Sequence, residues 1–250
     1  MLAAWLRVPR RCLNIVASEG KGIVAGDIKL YYSRLDEPYD CQAAAYHCNE
    51  AHGHLLSVDT EVDYCLVFES ESTFNVAVTQ GCAAHSNCML VTGKGYPDIA
   101  TCAFVASLAH LKPDLPIFVI CDSDSHGVHI LCTYAFGSLK SPTLEGWMNA
   151  APSVRWLGIH ASDVTMHTMV NTSGENVLES CTLPMSQNDK RHCERLLKAD
   201  CLQGKPKWKD DLRLMLGQGV KIETESVATQ HPTFFVQEYI PHKIRFGHWL

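Results

Sequence analysis

Glu69 stands directly after the apolar run Leu66-Val67-Phe68, and Asp122-Ser123-Asp124 directly after Phe118-Val119-Ile120-Cys121. Both runs read as strands, so both acidic motifs fall at carboxyl ends of strands, where open α/β sheets bind ligands. With the two strands as neighbours, three carboxylates converge. Such a cluster repels itself unless a divalent cation neutralises it, and oxygen-only ligands favour magnesium or manganese. The same residue types have a second use. Each motif precedes a helix, so the acids can equally serve as N-caps.

Lys94 sits in the turn Gly93-Lys94-Gly95-Tyr96-Pro97-Asp98, where flanking glycines let a backbone approach a phosphate closely. The glycine spacing and the following Ser or Thr of a P-loop are absent, so no ATP site is expected. His126 and His129 are candidate ligands or acids at the start of the next helix. Cys82, His85 and Cys88 have zinc-type side chains. They supply three ligands where structural sites need four, and a variable loop is the preferred reading.

The elements that must position these residues follow from pattern. Short apolar runs at 65–68, 89–92, 117–121 and 154–157 alternate with helix-like stretches, the signature of βαβ units around a small parallel sheet of four strands. Pro97 and Asp98 open a crossover helix with Ile99, Phe104, Val105 and Leu108 on one face, and a second helix runs from His126 to Phe136 and stops at Gly137. Ser186 and Asp189 form a capping box ahead of Cys193, Leu196 and Leu197, and Trp208, Leu212 and Met215 make another apolar stripe. The chain divides into a lead-in at 1–63, an α/β domain at 64–185 and a helical part at 186–250.

With 46% hydrophobic and 19% charged residues among 250, the chain can bury a substantial core. A net charge of −6 argues against a protein that coats nucleic acid through a uniform positive field. Basic clusters occur at Arg7, Arg10 and Arg11, at Lys205, Lys207 and Lys209 around Trp208, and at Lys243 with Arg245. Each is read first as solvated surface. Twelve scattered cysteines without a secretory signal fit a reducing compartment. No apolar stretch is long enough to span a membrane. The sequon Asn171-Thr172-Ser173 is read as chance.

Taken together, Leu66 to Phe74, Thr92 to Thr101 and Asp122 to Ser138 resemble the three blocks of the Toprim half of the topoisomerase VI A-type proteins and their eukaryotic meiotic relatives. The resemblance extends from Leu13-Asn14-Ile15-Val16 to Ile244-Arg245-Phe246-Gly247-His248-Trp249. It implies a Toprim, Rossmann-like α/β fold with a helical C-terminal elaboration. It implies Mg²⁺ bound by Glu69 and Asp122, with Asp124 as a third ligand or at a second-ion position, and Lys94 and His126 beside DNA phosphates. The family reaction is a transesterification in which a tyrosine attacks each strand of double-stranded DNA. That tyrosine belongs to an upstream winged-helix domain and is expected to be missing here, Tyr31-Tyr32 matching a different segment, so the chain alone is expected not to cleave. The resemblance further implies a homodimer, a topoisomerase VI B-like partner that binds ATP, and a nuclear, meiotic setting. Ser70 stands where a lysine is usual and Cys102 where an arginine is usual. A non-catalytic scaffold that binds DNA and partners is the competing reading, and a nuclease using metal-activated water the third.

Overall fold

Strands β6 (Tyr64–Phe68), β7 (Cys88–Thr92) and β8 (Ile117–Ile120) are buried at every position, as continuous apolar runs require when both faces of a sheet are covered. They pair in parallel, with Leu66 opposite both Leu90 and Phe118, and β9 (Arg155–Gly158) extends the sheet beyond β8. The structure, a computed structural model, describes residues 20–137, 149–165 and 176–250, together with Trp5, Leu6, Val8, Arg10–Leu13 and Ile15. Arg7, the side chains of Arg10 and Arg11, and Asn171-Thr172-Ser173 lie outside the described residues.

The central sheet has six strands rather than four. Strands β1 (Ile23–Ala25) and β4 (Tyr46–His47) come from the lead-in and give the order β4-β1-β7-β6-β8-β9, β1 running antiparallel to β7. Strands of three and two residues are too short for an alternation to show, which is why the sequence assigns no strand to the lead-in. Three more of its strands, β2 (Lys29–Tyr32), β3 (Tyr39–Asp40) and β5 (Leu55–Asp59), form a separate sheet. Tyr32 belongs to that sheet, buried and stacked on Tyr46 with ring centroids 5.4 Å apart.

Between β6 and β7 lie helices α1 (Glu71–Thr79) and α2 (Cys82–His85). Helix α3 (Ile99–Leu111) crosses from β7 to β8, and α4 (Ser125–Phe136) follows β8. Asp98 caps α3 by accepting the Thr101 N–H at 2.8 Å. Phe104, Val105 and Leu108 are buried as expected, whereas Ile99, in the first turn, is 38% exposed. Gly137, at φ 84°, ends α4.

After β9 the chain forms α5 (Val177–Ser180), β10 (Thr182–Pro184), α6 (Gln187–Leu197), α7 (Pro206–Gln218), β11 (Val220–Ile222), α8 (Thr224–Gln230) and α9 (Ile240–Phe246). The capping box at Ser186 and Asp189 is formed, and Trp208, Leu212 and Met215 are buried. β11 returns to pair with β10, Thr182 opposite Ile222. The sheet divides the interior into two cores. Cys65, Val67, Met89 and Val119 face one, shared with α3, α4, α6 and α7; Leu66, Phe68, Leu90 and Ile120 face the other, shared with α1 and α8.

Lys243 corrects an expectation. Read from sequence as part of a solvated basic patch, it is 1% exposed, with its Nζ 2.8 and 3.0 Å from the two Asp163 oxygens and 2.9 Å from His160 Nδ1. Tyr239 donates its hydroxyl to Asp163 Oδ2 at 2.6 Å. Burial, reinforced by Lys243, lowers the His160 pKa to about 3, so the imidazole is neutral and accepts from the ammonium while its Nε2 faces the Trp156 carbonyl at 3.1 Å. Burial alone would raise Asp163, but the Lys243 ammonium and the Tyr239 hydroxyl outweigh it and hold the carboxyl below its usual range.

Candidate functional site

Because β6 and β8 are parallel neighbours in register, with Phe68 opposite Ile120, the residues leaving their carboxyl ends meet. The Glu69 N–H donates to the Ile120 carbonyl at 2.9 Å, and the Asp122 N–H donates to Glu69 Oε2 at 2.9 Å. The two uses open to these acids separate by residue. Asp124 is the N-cap of α4, its Oδ1 accepting from the N–H groups of His126 and Gly127 at 2.8 Å each. Ser70, not Glu69, caps α1, its Oγ accepting from Ser72 and Thr73. Asp122 caps neither α1 nor α4; its Oδ1 accepts from Thr224.

Glu69 Oε1, Asp122 Oδ2 and Asp124 Oδ2 accept no hydrogen bond from the described residues. α4 reaches this position because Gly127 lies flat on the preceding loop: a Cβ there would overlap the Asp122 carbonyl oxygen.

Electrostatics set the two carboxylates against each other. Burial raises the Glu69 pKa to about 8, with the negative charges of Asp122, Asp124 and Glu225 adding to it. Burial also raises Asp122, to about 6; the Thr224 hydrogen bonds oppose that rise while Asp124 and Glu223 reinforce it. Glu223 and Glu225 flank the start of α8, about a hundred residues beyond the Asp122–Asp124 motif, and no spacing in the sequence marks them. Glu223 pairs with Lys221 at 3.1 Å, and Glu225 Oε1 accepts from Ser70 Oγ at 2.6 Å.

Lys94 occupies the left-handed region at φ 53°, followed by Gly95 at φ 85°, and this turn is tied to the site by the Gly95 N–H donating to the Glu69 carbonyl at 2.8 Å. The Lys94 Nζ lies 2.8 Å from Glu71 Oε1. His126 is exposed. Its Nδ1 lies 3.3 Å from the Tyr96 hydroxyl, which is also 3.0 Å from His129 Nδ1, and its ring lies 4.7 Å from that of His192. Ser125 Oγ is 3.0 Å from His192 Nδ1. His192, brought in by α6, and Tyr96 therefore complete a cluster of which the sequence reading selected only His126 and His129. Burial raises the Tyr96 pKa to about 12, with Glu69 and Asp124 contributing.

Among the described residues, no group of three or more His, Cys, Asp or Glu side chains stands in an arrangement that would hold a metal ion. Cys82 and Cys88 are buried, and His85 Nδ1 is 3.2 Å from the Gln80 carbonyl. The twelve cysteines are free thiols. The donor chemistry of the Glu69–Asp122 pair nevertheless fits a hard dication. It is oxygen-only, each carboxylate keeps one uncommitted oxygen, and burial raises both carboxyls, Glu69 to about 8 and Asp122 to about 6, a rise that a bound dication would offset. Two carboxylates suit an ion that retains several waters, as Mg²⁺ does.

A largely parallel sheet flanked by helices, with a Glu and an Asp-x-Asp at the ends of adjacent strands, defines a Toprim domain. Residues 64–244 match the family model for the Toprim domain of Spo11 and the topoisomerase 6 A-type proteins, and the chain belongs to that family. Over its whole length it is 29% identical to the meiotic recombination protein SPO11 of Mus musculus, covering 61% of that protein. It is 32% identical to SPO11-1 of Arabidopsis thaliana, with 93% of this chain and 62% of the relative aligned. Against the A-type component of DNA topoisomerase 6 from Arabidopsis thaliana the identity is 27%, over 100% of this chain and 56% of that protein. The chain thus spans about three fifths of the length of the curated relatives it matches.

Proposed function

We propose that this chain is the Toprim half of a topoisomerase VI A-type, meiotic double-strand-break protein that cuts DNA by tyrosine transesterification, with Mg²⁺ held by Glu69 and Asp122. The observation that carries this reading is the juxtaposition of those two half-buried carboxylates, joined through the Asp122 N–H at 2.9 Å and each with an oxygen to spare. Bound there, the ion would stabilise charge on the phosphate and on the leaving oxygen. Asp124, with Oδ2 uncommitted, is left for a second-ion position.

Lys94 and His126 border the carboxylates and are placed to contact phosphates of double-stranded DNA. Tyr96, whose pKa is raised to about 12, is poorly suited to be the nucleophile, which needs its proton removed. The attacking tyrosine is assigned to a separate domain, as the resemblance to topoisomerase VI implies. A homodimer, a topoisomerase VI B-like partner and a nuclear location belong to the same proposal. Among the described residues, no helix is long and apolar enough to cross a membrane.

A scaffold without catalysis is the second reading, and a specific observation favours it. Neither Ser70, hydrogen-bonded to Glu225, nor Cys102, 7% exposed, brings a positive charge to a place where the family usually has one. Calorimetric titration of Mg²⁺ into the chain and into its Asp122→Ala variant tests the metal site common to both readings. Binding that weakens at least about tenfold in the variant is expected, and unchanged binding in both Asp122→Ala and Glu69→Ala removes the site. Cleavage of supercoiled DNA by the whole protein with its partner then separates enzyme from scaffold.

Lys94→Ala gives a further check. If its ammonium exchanges Glu71 for a phosphate when DNA binds, duplex affinity falls roughly threefold and the log–log salt slope decreases by about one. A slope equal to that of the wild type in fluorescence anisotropy excludes the contact.

A further inference from the structure

Asp122 is held from a distant part of the chain. Thr224 donates to the same oxygen, Asp122 Oδ1, through its backbone N–H at 2.8 Å and through its hydroxyl at 2.7 Å. Thr224 is 1% exposed, so neither donor has water to turn to. The segment that delivers it is fixed on two sides. Ile222 and Ser123 exchange backbone hydrogen bonds, Ser123 N–H to the Ile222 carbonyl at 2.9 Å and Ile222 N–H to the Ser123 carbonyl at 3.2 Å. Ile222 also pairs with Thr182 in the β10–β11 ladder, and Val227 of α8 is buried in the same core as Phe68 and Ile120.

We infer that Thr224 is a positioning residue for the metal site: by saturating Asp122 Oδ1 it fixes the carboxylate with Oδ2 turned to the cation beside Glu69. The inference rests on the Mg²⁺ reading of Glu69 and Asp122 above. Its physical basis is rotational. An aspartate carboxylate turns easily about its last bond, and two donors converging on one oxygen from a rigid backbone remove that freedom. The Glu69 carboxylate is oriented in the same way by a single donor, the Asp122 N–H, so Thr224 acts on both ligands: it holds Asp122 directly and steadies the residue that aligns Glu69. Polar residues that orient metal ligands commonly cost ten- to a hundredfold in affinity when removed.

The test compares Thr224→Val, which keeps the branched shape and loses the hydroxyl, with Thr224→Ser, which keeps the hydroxyl. Mg²⁺ binding by calorimetry and the Mg²⁺-induced rise in Tm are measured for each, with Asp122→Ala as reference. The expected result is a Kd for Mg²⁺ about tenfold weaker in Thr224→Val and within about twofold of wild type in Thr224→Ser. A merely structural role would lower the Tm in EDTA and leave the Kd unchanged. Wild-type affinity in Thr224→Val, with binding lost in Asp122→Ala, overturns the positioning role and leaves the metal site standing. Wild-type affinity in Asp122→Ala overturns the metal site, and the positioning role with it. Where Thr224→Val does not fold, Thr224→Ala against Thr224→Ser makes the same comparison: a tenfold gap supports the role and equal affinities overturn it.

Discussion

Glu69→Gln and Asp122→Asn each reduce DNA cleavage by the whole protein at least about a hundredfold, and at the same time make this chain more stable in EDTA. The opposition follows from the charges. Burial and the facing Asp122 raise the Glu69 pKa from 4.5 to about 8, and burial raises Asp122 from 3.8 to about 6. A carboxyl whose pKa is higher in the folded than in the unfolded chain contributes stability that is fully present below its unfolded value. That stability is lost as the pH rises through its folded value.

In EDTA the Tm therefore declines from about pH 4 to 8 as first Asp122 and then Glu69 must ionise, a penalty on the order of 2–3 kcal/mol. Glu69→Gln removes the upper part of that decline because its side chain carries no charge. Mg²⁺ reverses the decline in the wild type by binding the ionised pair, and does so less in either variant. Differential scanning calorimetry across pH 5 to 8, with and without Mg²⁺, measures all of these. A wild-type Tm indifferent to both pH and Mg²⁺ over that range excludes the pair as a metal site.

The largest loss of stability is expected at the buried ion pair. Lys243→Ala leaves Asp163 with its charge and without the ammonium that lies 2.8 and 3.0 Å from its oxygens; Asp163→Ala strands Lys243 in the same way. Each costs about 3–5 kcal/mol, because an unpaired charge in a dry interior is penalised far beyond the worth of the bond it lost. For a chain of this size that lowers the Tm by roughly 6–20 °C. Replacing both at once, Lys243→Met with Asp163→Leu, costs less than either single change, since no charge is left behind. Urea unfolding of the four proteins checks the order, and a double variant weaker than both single ones contradicts it. His160 is neutral already and takes no part in the charge balance, but it accepts a hydrogen bond from Lys243 that the double variant also removes.

What the sequence disclosed tracks how local the cause is. β6, β7 and β8 are legible because each is an unbroken apolar run, and the acids after β6 and β8 are legible because they end those runs. The Ser186–Asp189 box and the Trp208 stripe are likewise set by neighbours three or four residues away. β1 and β4 escape notice because pairing with the sheet, rather than their own pattern, makes them strands. Lys243 is misread because its partner Asp163 is 80 residues distant and nothing beside it signals burial. Thr224, Glu223 and Glu225 escape for the same reason, although they shape the charge and orientation of the site as much as the acids that announce it.

The bridge between Ser123 and Ile222 has a consequence for the order of events during synthesis. The two acidic motifs leave the ribosome early, yet the donors that orient Asp122 are more than a hundred residues behind them. A nascent chain can close the β6–β8 ladder while its carboxylates still swing freely, and only the arrival of α8 converts that edge into a defined site. Competence is thereby withheld until the last third of this chain has docked, so a partly made protein carries the acids without the alignment that makes them useful.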